Sequence, residues 1–121
     1  MKRRTLKKFQ TQGEAGHHHC VYVVLLETAA GKFRKARAAN PRRVAGKPCV
    51  YVGLTGLTPA ERFANHKKGI KSSSMVKRFG LRLLPALYEH LNPMPFEAAA
   101  RMEKDLTEDL RRDGYTVLGG V

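Results

Sequence analysis

The sequence lacks most features of secreted and membrane proteins. Two cysteines, Cys20 and Cys49, are too few for a disulfide scaffold and do not have the spacing of a metal site. The apolar run Cys20–Leu26 is far too short to span a bilayer. We therefore expect a protein of the reducing cytoplasm that does not enter a membrane.

Acidic residues are scarce, with 10 Asp and Glu against 23 Lys and Arg, for a formal net charge of +13. The excess lies in two segments, because residues 1–8 carry five Lys and Arg and residues 31–47 carry seven with no acid. This pattern favours a polyanionic partner, most often a nucleic acid. The alternative is that both segments are solvated and only keep the chain soluble. The seven later residues are Lys32, Arg34, Lys35, Arg37, Arg42, Arg43 and Lys47.

The chain length of 121 residues predicts one domain, at residues 20–121, preceded by a basic and polar arm at residues 1–19. CVYVVLL at 20–26 and CVYVG at 49–53 predict two strands of a hairpin. The basic segment 28–48 between them is then a long loop, which is either functional or disordered. Residues 81–84 predict a third strand, and residues 115–118 could form a short final one.

Two helices have clear boundaries. Thr58 with Pro59 and Glu61 forms a capping box, and Gly69 is a natural stop. We expect Ala60, Phe63 and Ala64 to face inward in this helix. A second helix begins near Pro95 and ends at Gly114. Its 3.6-residue spacing predicts one continuous face that is apolar except in the middle: Phe96, Ala99, Glu103, Leu106 and Leu110.

Five polar or aromatic residues could carry chemistry, although each has a simpler explanation when taken alone. A carboxylate at Glu103 on an apolar face is costly unless it is paired, reaches solvent or binds a metal. Arg62 and His66 are four residues apart and share one flank of their helix, as many exposed pairs do. Tyr22 and Tyr51 alone are more typical of strand residues in a core.

Taken in order, these residues resemble the GIY-YIG nuclease superfamily. The first motif reads Cys20-Val21-Tyr22 and the second Tyr51-Val52-Gly53. An arginine, a histidine and a glycine follow at 62, 66 and 69, and a helix with Glu103 comes later. The resemblance covers about residues 20–120. Cys20 and Val52 replace the family's glycine and isoleucine, and the tyrosines are farther apart than in many members, which indicates an inserted basic segment.

The resemblance implies an α/β fold with a small, three-stranded, mainly antiparallel sheet flanked by helices. It also implies an endonuclease that hydrolyses DNA with Mg²⁺ or Mn²⁺ held by Glu103. Arg62 would contact the scissile phosphate, and Tyr22, helped by Tyr51 and His66, would orient or deprotonate water. Arg62 and the metal would have to lower the pKa of that phenol. Lys67, Lys68 and the seven basic residues of segment 28–48 would bind DNA, with RNA not excluded.

Two other functions fit the sequence. A non-catalytic basic module that binds nucleic acid explains the charge equally well, but it does not explain why Glu103 interrupts an apolar face. A domain that contacts acidic proteins is the second alternative. The sequence leaves open the preferred DNA structure, the oligomeric state and the choice between repair, recombination, restriction and mobile-element roles.

Overall fold

A computed structural model describes residues 17–119, so most of the predicted N-terminal arm, residues 1–16, lies outside the described range. Within residues 17–119 the chain forms four β-strands and four α-helices, together with short 3₁₀ turns. In chain order the elements are β1 (Cys20–Leu26), α1 (Arg34–Ala39), β2 (Cys49–Thr55), α2 (Pro59–Lys68), α3 (Ser74–Phe79), β3 (Gly80–Leu83), α4 (Phe96–Arg112) and β4 (Thr116–Gly119). The 3₁₀ turns are Thr28–Lys32, Pro85–Leu87 and Glu89–Leu91.

The strands form one mixed sheet in the order β3-β1-β2-β4. β1 pairs antiparallel with both β2 and β3, and β2 pairs parallel with β4. The predicted α/β class, with helices beside a small sheet, is confirmed. The three-stranded sheet that the resemblance implies is wrong, because the sheet has four strands. The possible final strand at residues 115–118 is present at Thr116–Gly119, and it pairs parallel with β2.

The centre of the sheet is built from valines. Val21, Val23, Val50 and Val52 are all completely buried, and they share one face of the sheet because side chains alternate along a strand. β-branched residues suit this pleated surface. Full burial of each side chain stabilises the fold by about 1.5–3 kcal/mol, so this pair of strands is a stable base for residues on its other face.

The basic segment 28–48 is folded. It contains a 3₁₀ turn and α1, and Asn40, the residue that ends α1, is buried against β4. The Asn40 amide accepts from the backbone N–H of Val117 (2.9 Å) and donates to the carbonyl of Val117 (3.0 Å), as a neighbouring strand would. Arg111 Nε also donates to Asn40 Oδ1 at 3.0 Å. The prediction of a functional or disordered loop therefore missed a packed insertion.

Helix α2 begins and ends where the sequence predicts. The capping box of Thr58 and Glu61 is present, and Gly69 ends the helix with φ 83°. The predicted inward stripe is wrong, because Ala60 and Ala64 are exposed and only Phe63 packs against the core. His66 takes the fully buried position instead.

Helix α4 follows its predicted face over most of its length. Ala99, Leu106 and Leu110 are buried, but Phe96 at the beginning is 52 % exposed, so the face does not extend to the first turn. Phe96 instead contacts the edge of the His19 ring, with 5.2 Å between centroids. No helix in the described part of the chain has the length and apolar character needed to cross a membrane.

The two cysteines lie at opposite ends of the β1–β2 pair. Cys20 is opposite Thr55, and Cys49 is opposite Leu26. Both thiols are free.

Candidate active site

The two motif tyrosines lie on the same face of adjacent strands. Tyr22 is opposite Gly53 and Tyr51 is opposite Val24, so the tyrosines are diagonal neighbours with 6.3 Å between ring centroids. Gly53 is necessary for this arrangement, because a Cβ there would lie only 2.4 Å from Cζ and Oη of Tyr22. The glycine of the second motif therefore leaves space for the phenol of the first.

His66 joins the tyrosines from helix α2. Its Nε2 lies 2.8 Å from Tyr22 Oη, and the backbone N–H of Ser73 donates to its Nδ1 at 2.9 Å. The Tyr51 ring meets the His66 ring edge-on, with 5.8 Å between centroids. Both ring nitrogens are thus satisfied, although the side chain is completely buried.

Arg62 lies one helical turn before His66 and is partly buried. Its guanidinium donates to the carbonyl of Lys71 at 2.8 Å and to that of Ile70 at 3.4 Å, in the loop between α2 and α3. These contacts use two of the five N–H donors of an arginine. The group is held in place and still has donors for an anion.

The site disfavours charge on its phenols. Burial raises the pKa of Tyr22 and of Tyr51 above that of a free phenol, and the charge of Glu103 adds to this effect. The charge of Arg62 acts in the opposite direction on both tyrosines. The sequence-based expectation that Arg62 lowers the pKa of Tyr22 has the correct sign for that charge, but burial outweighs it. In contrast, burial and, to a smaller extent, the positive charge of Arg62 lower the pKa of His66 to about 4.

Glu103 supplies the carboxylate from the middle of helix α4. Its negative charge raises the pKa of both tyrosines, as a smaller contribution than burial. The side chain is partly buried, and burial raises the pKa of its own carboxyl group. Within residues 17–119 we find no hydrogen bond or salt bridge to this carboxylate; the one salt bridge there joins Arg112 and Asp109.

The donor set fits one kind of metal site. The described range contains no group of three or more His, Cys, Asp or Glu residues that could hold a metal ion, so a zinc centre closed by side chains does not fit. A single carboxylate does fit Mg²⁺ or Mn²⁺, because hard cations of this kind keep several waters and take oxygens from a phosphate. Glu103 is the residue that would hold such an ion.

Sequence reasoning missed Ser73. No role is predicted for Ser73 from the sequence, yet it is the N-cap of α3 and contacts His66 through its backbone. Its hydroxyl also lowers the pKa of Tyr51, against the larger effect of burial. The sequence did contain a signal for this N-cap, because serine is one of the residues preferred at the start of a helix and can accept from the N–H three residues later, here that of Val76.

The predicted DNA-binding residues are all exposed, but their side chains differ in how they are held. Arg43 donates to the carbonyls of Arg37 and Asn40. Lys47 lies over the ring of Tyr115, 5.1 Å from its centroid. Lys67 donates to the carbonyls of Lys77 and Gly80, so it connects α2 to α3 and β3. The rest of the set is Lys32, Arg34, Lys35, Arg37, Arg42 and Lys68.

The insertion carries two depressions of about 450 Å³ each. Lys32 and Arg43 line both of them, and Arg34 and Arg37 complete the second. We call these four residues the insertion cluster. No acid occurs between residues 28 and 48, so this cluster forms a positive surface fixed to β4, next to the strand that carries Tyr51.

Comparisons of the chain with family models, with curated proteins and with solved structures find no match. Function therefore has to be inferred from the site itself. Of the five residues singled out from the sequence, Tyr22, Tyr51 and His66 are in contact, and Arg62 lies one helical turn before His66. Glu103, on α4, affects the pKa of both tyrosines through its charge.

Proposed function

We propose that the protein is a GIY-YIG-type endonuclease that hydrolyses phosphodiester bonds of DNA with Mg²⁺ or Mn²⁺. One observation carries the proposal: the phenols of β1 and β2 meet the imidazole of α2, with the Arg62 guanidinium one helical turn away. The Glu103 carboxylate of α4, which has no hydrogen-bond or salt-bridge partner within residues 17–119, acts on both phenols through its charge. A structural role alone does not explain why this carboxylate has no partner in the described part of the chain while its charge raises the pKa of both tyrosines.

Hydrolysis forms a bond from a water oxygen to phosphorus and breaks the bond from phosphorus to a sugar oxygen, which receives a proton. The transition state therefore needs positive charge beside the phosphate. Arg62 supplies a guanidinium that the Ile70 and Lys71 carbonyls already hold in place. A planar, permanently charged group of this kind binds phosphate oxygens in a defined orientation.

The tyrosines orient the water. Tyr22 is only 1 % exposed, whereas Tyr51 is partly accessible, so Tyr51 is the phenol that meets the substrate and Tyr22 supports it from behind. The pKa of each phenol is raised, so both are neutral near pH 7. We infer that Tyr51 acts through a hydrogen bond to the water, and Tyr22 through Tyr51, rather than as preformed phenolates.

Glu103 would hold the divalent cation, which supplies positive charge at the phosphate and lowers the pKa of bound water. The insertion cluster would contact phosphates of the flanking duplex. Such contacts give affinity without sequence preference, which suits a chain with little room for a separate recognition module. DNA is thereby held beside β2 and β4 while the reacting phosphate meets Arg62.

A nicking assay on supercoiled plasmid tests this proposal. The wild-type protein is incubated with Mg²⁺, with Mn²⁺ and with excess EDTA, and DNA binding is measured in parallel. We expect nicking with either metal and none with EDTA. Binding without nicking in any metal would favour the alternative of a non-catalytic nucleic-acid-binding module, for which the net charge of +13 is sufficient.

A further inference from the structure

The contacts of His66 determine the direction of its hydrogen bonds. A backbone N–H can only donate, and the N–H of Ser73 points at Nδ1 from 2.9 Å. Nδ1 must therefore present a lone pair. A neutral imidazole has one N–H and one acceptor nitrogen, so the single hydrogen of His66 is on Nε2.

The tautomer of His66 also fixes the direction of its hydrogen bond with Tyr22. Nε2 lies 2.8 Å from Tyr22 Oη, so the Nε2–H donates and the phenol oxygen accepts. The phenolic hydrogen of Tyr22 is then directed away from His66. The opposite tautomer would place two hydrogens face to face between Ser73 and Nδ1, in an interior where an unpaired polar group costs about 1–3 kcal/mol.

Other groups keep this arrangement in place. The pKa of His66 is lowered to about 4 by burial and by the Arg62 charge, so the ring is neutral near pH 7. Ser73 is held because its hydroxyl accepts from the N–H of Val76 as the N-cap of α3. Arg62 is bonded to two carbonyls of the loop that leads to Ser73.

We propose that the backbone N–H of Ser73 is a positioning group that locks His66 as the Nε2–H tautomer, so that His66 donates to Tyr22 and does not take its proton. The catalytic consequence rests on the proposed nuclease function. With its oxygen already accepting from His66, Tyr22 turns its own O–H toward the reacting side, where Tyr51 and the water lie. The tautomer itself is a property of the folded protein and needs no substrate.

The direct test is ¹⁵N NMR of the imidazole nitrogens in the full-length protein at pH 7, where protonated and unprotonated nitrogens resonate far apart. We expect His66 to show a protonated Nε2 and an unprotonated Nδ1. A proton on Nδ1 in the wild type would overturn the proposal without any variant.

A pair of proline substitutions then tests the role of Ser73. Ser73→Pro removes the N–H at a residue whose φ of −73° suits proline. Ser74→Pro is the matched control, since it occupies the first helical position, where proline is well tolerated, and follows a residue with extended φ and ψ. Ser73→Ala keeps the N–H and removes the hydroxyl.

We expect Ser73→Pro to populate the Nδ1–H tautomer, and Ser73→Ala and Ser74→Pro to keep the wild-type spectrum. A positioned acid or base typically contributes about 10²–10⁴-fold to the rate. We therefore expect the kcat of nicking to fall at least about tenfold in Ser73→Pro and to be unchanged in Ser74→Pro. A folded Ser73→Pro protein with the wild-type tautomer would refute the role of Ser73. The Nε2–H tautomer in a protein that never nicks DNA would support this inference while the nuclease proposal failed.

Discussion

Replacement of Gly53 by alanine should damage both stability and the site, because the added Cβ would lie 2.4 Å from Tyr22 Oη and Cζ. The ring must move, since β2 is fixed by neighbours on both sides. Overpacking of this kind costs about 1–3 kcal/mol, and loss of the buried bond to His66 about 1 kcal/mol more. We expect Gly53→Ala to lower the free energy of unfolding by about 2–4 kcal/mol.

Urea denaturation followed by circular dichroism measures this change, and two controls identify its cause. Gly56→Ala adds the same methyl group where the nearest atom is His19 Nε2 at 3.5 Å, an ordinary contact, so we expect a change below about 1 kcal/mol. In a Tyr22→Leu background the clash is absent, and the penalty of Gly53→Ala should shrink by more than about 1 kcal/mol. Equal penalties in both backgrounds, or Gly53→Ala as mild as Gly56→Ala, would refute the reasoning.

Three further predictions concern the insertion and the buried histidine. Asn40→Ala leaves the backbone of Val117 and the amide's other partners unsatisfied, so urea denaturation should show a loss of about 2–4 kcal/mol, against a negligible change for exposed Arg42→Ala. The pKa of His66 is lower in the folded protein (about 4) than in the unfolded chain (6.5), so the unfolded chain binds a proton first as pH falls. The contribution of His66 to stability should therefore be complete above about pH 6.5 and decline toward pH 4. His66→Gln should flatten that decline. Each insertion contact with duplex DNA adds about 0.9 to the salt slope of binding, so alanine at all four positions should reduce the slope by up to about 3–4. The control Arg82→Ala, on the opposite edge strand, should lower the slope by at most about 1. An unchanged slope in the fourfold variant would show that the insertion cluster does not contact DNA. The four positions are Lys32, Arg34, Arg37 and Arg43.

Local signals predicted the helices well. The capping box at Thr58 and the stop at Gly69 act within a few residues of chain, so their physics is visible in the sequence. The same is true of Glu103, whose position in a 3.6-residue pattern placed it beside the core. Where the pattern was weak it misled: Ala60 and Ala64 match an inward stripe but are exposed, because the sheet receives His66 instead.

Long-range contacts were not predictable in the same way. β4 has four residues, and its parallel partner β2 lies more than 60 residues earlier in the chain, so no periodicity identified the pair. The insertion was taken for a loop because its fold depends on the amide of Asn40 meeting the backbone of Val117. A single buried asparagine has no signature in a sequence rich in Arg, Lys and Ala.

The candidate site was only partly predictable from the sequence. The resemblance predicted which five side chains belong together. In the fold Tyr22, Tyr51 and His66 are in contact, with Arg62 one helical turn away, and the catalytic role of the five stays a prediction. The electrostatic balance was not predictable, because the pKa of Tyr22 depends on how much of its surroundings is apolar. Ser73 was missed because its contribution to His66 comes from the backbone, which every residue other than proline possesses.

The most direct test of the central claim compares Glu103→Gln with Glu108→Gln in the plasmid-nicking assay with Mg²⁺. Both changes remove one charge from α4 and keep the shape of the side chain, but Glu108 is exposed whereas Glu103 is partly buried. A bound cation contributes several kcal/mol, and each 1.4 kcal/mol is about tenfold in rate. The account predicts that Glu103→Gln loses about 10³-fold or more of the nicking rate while Glu108→Gln retains it. Equal rates in the two variants would contradict it.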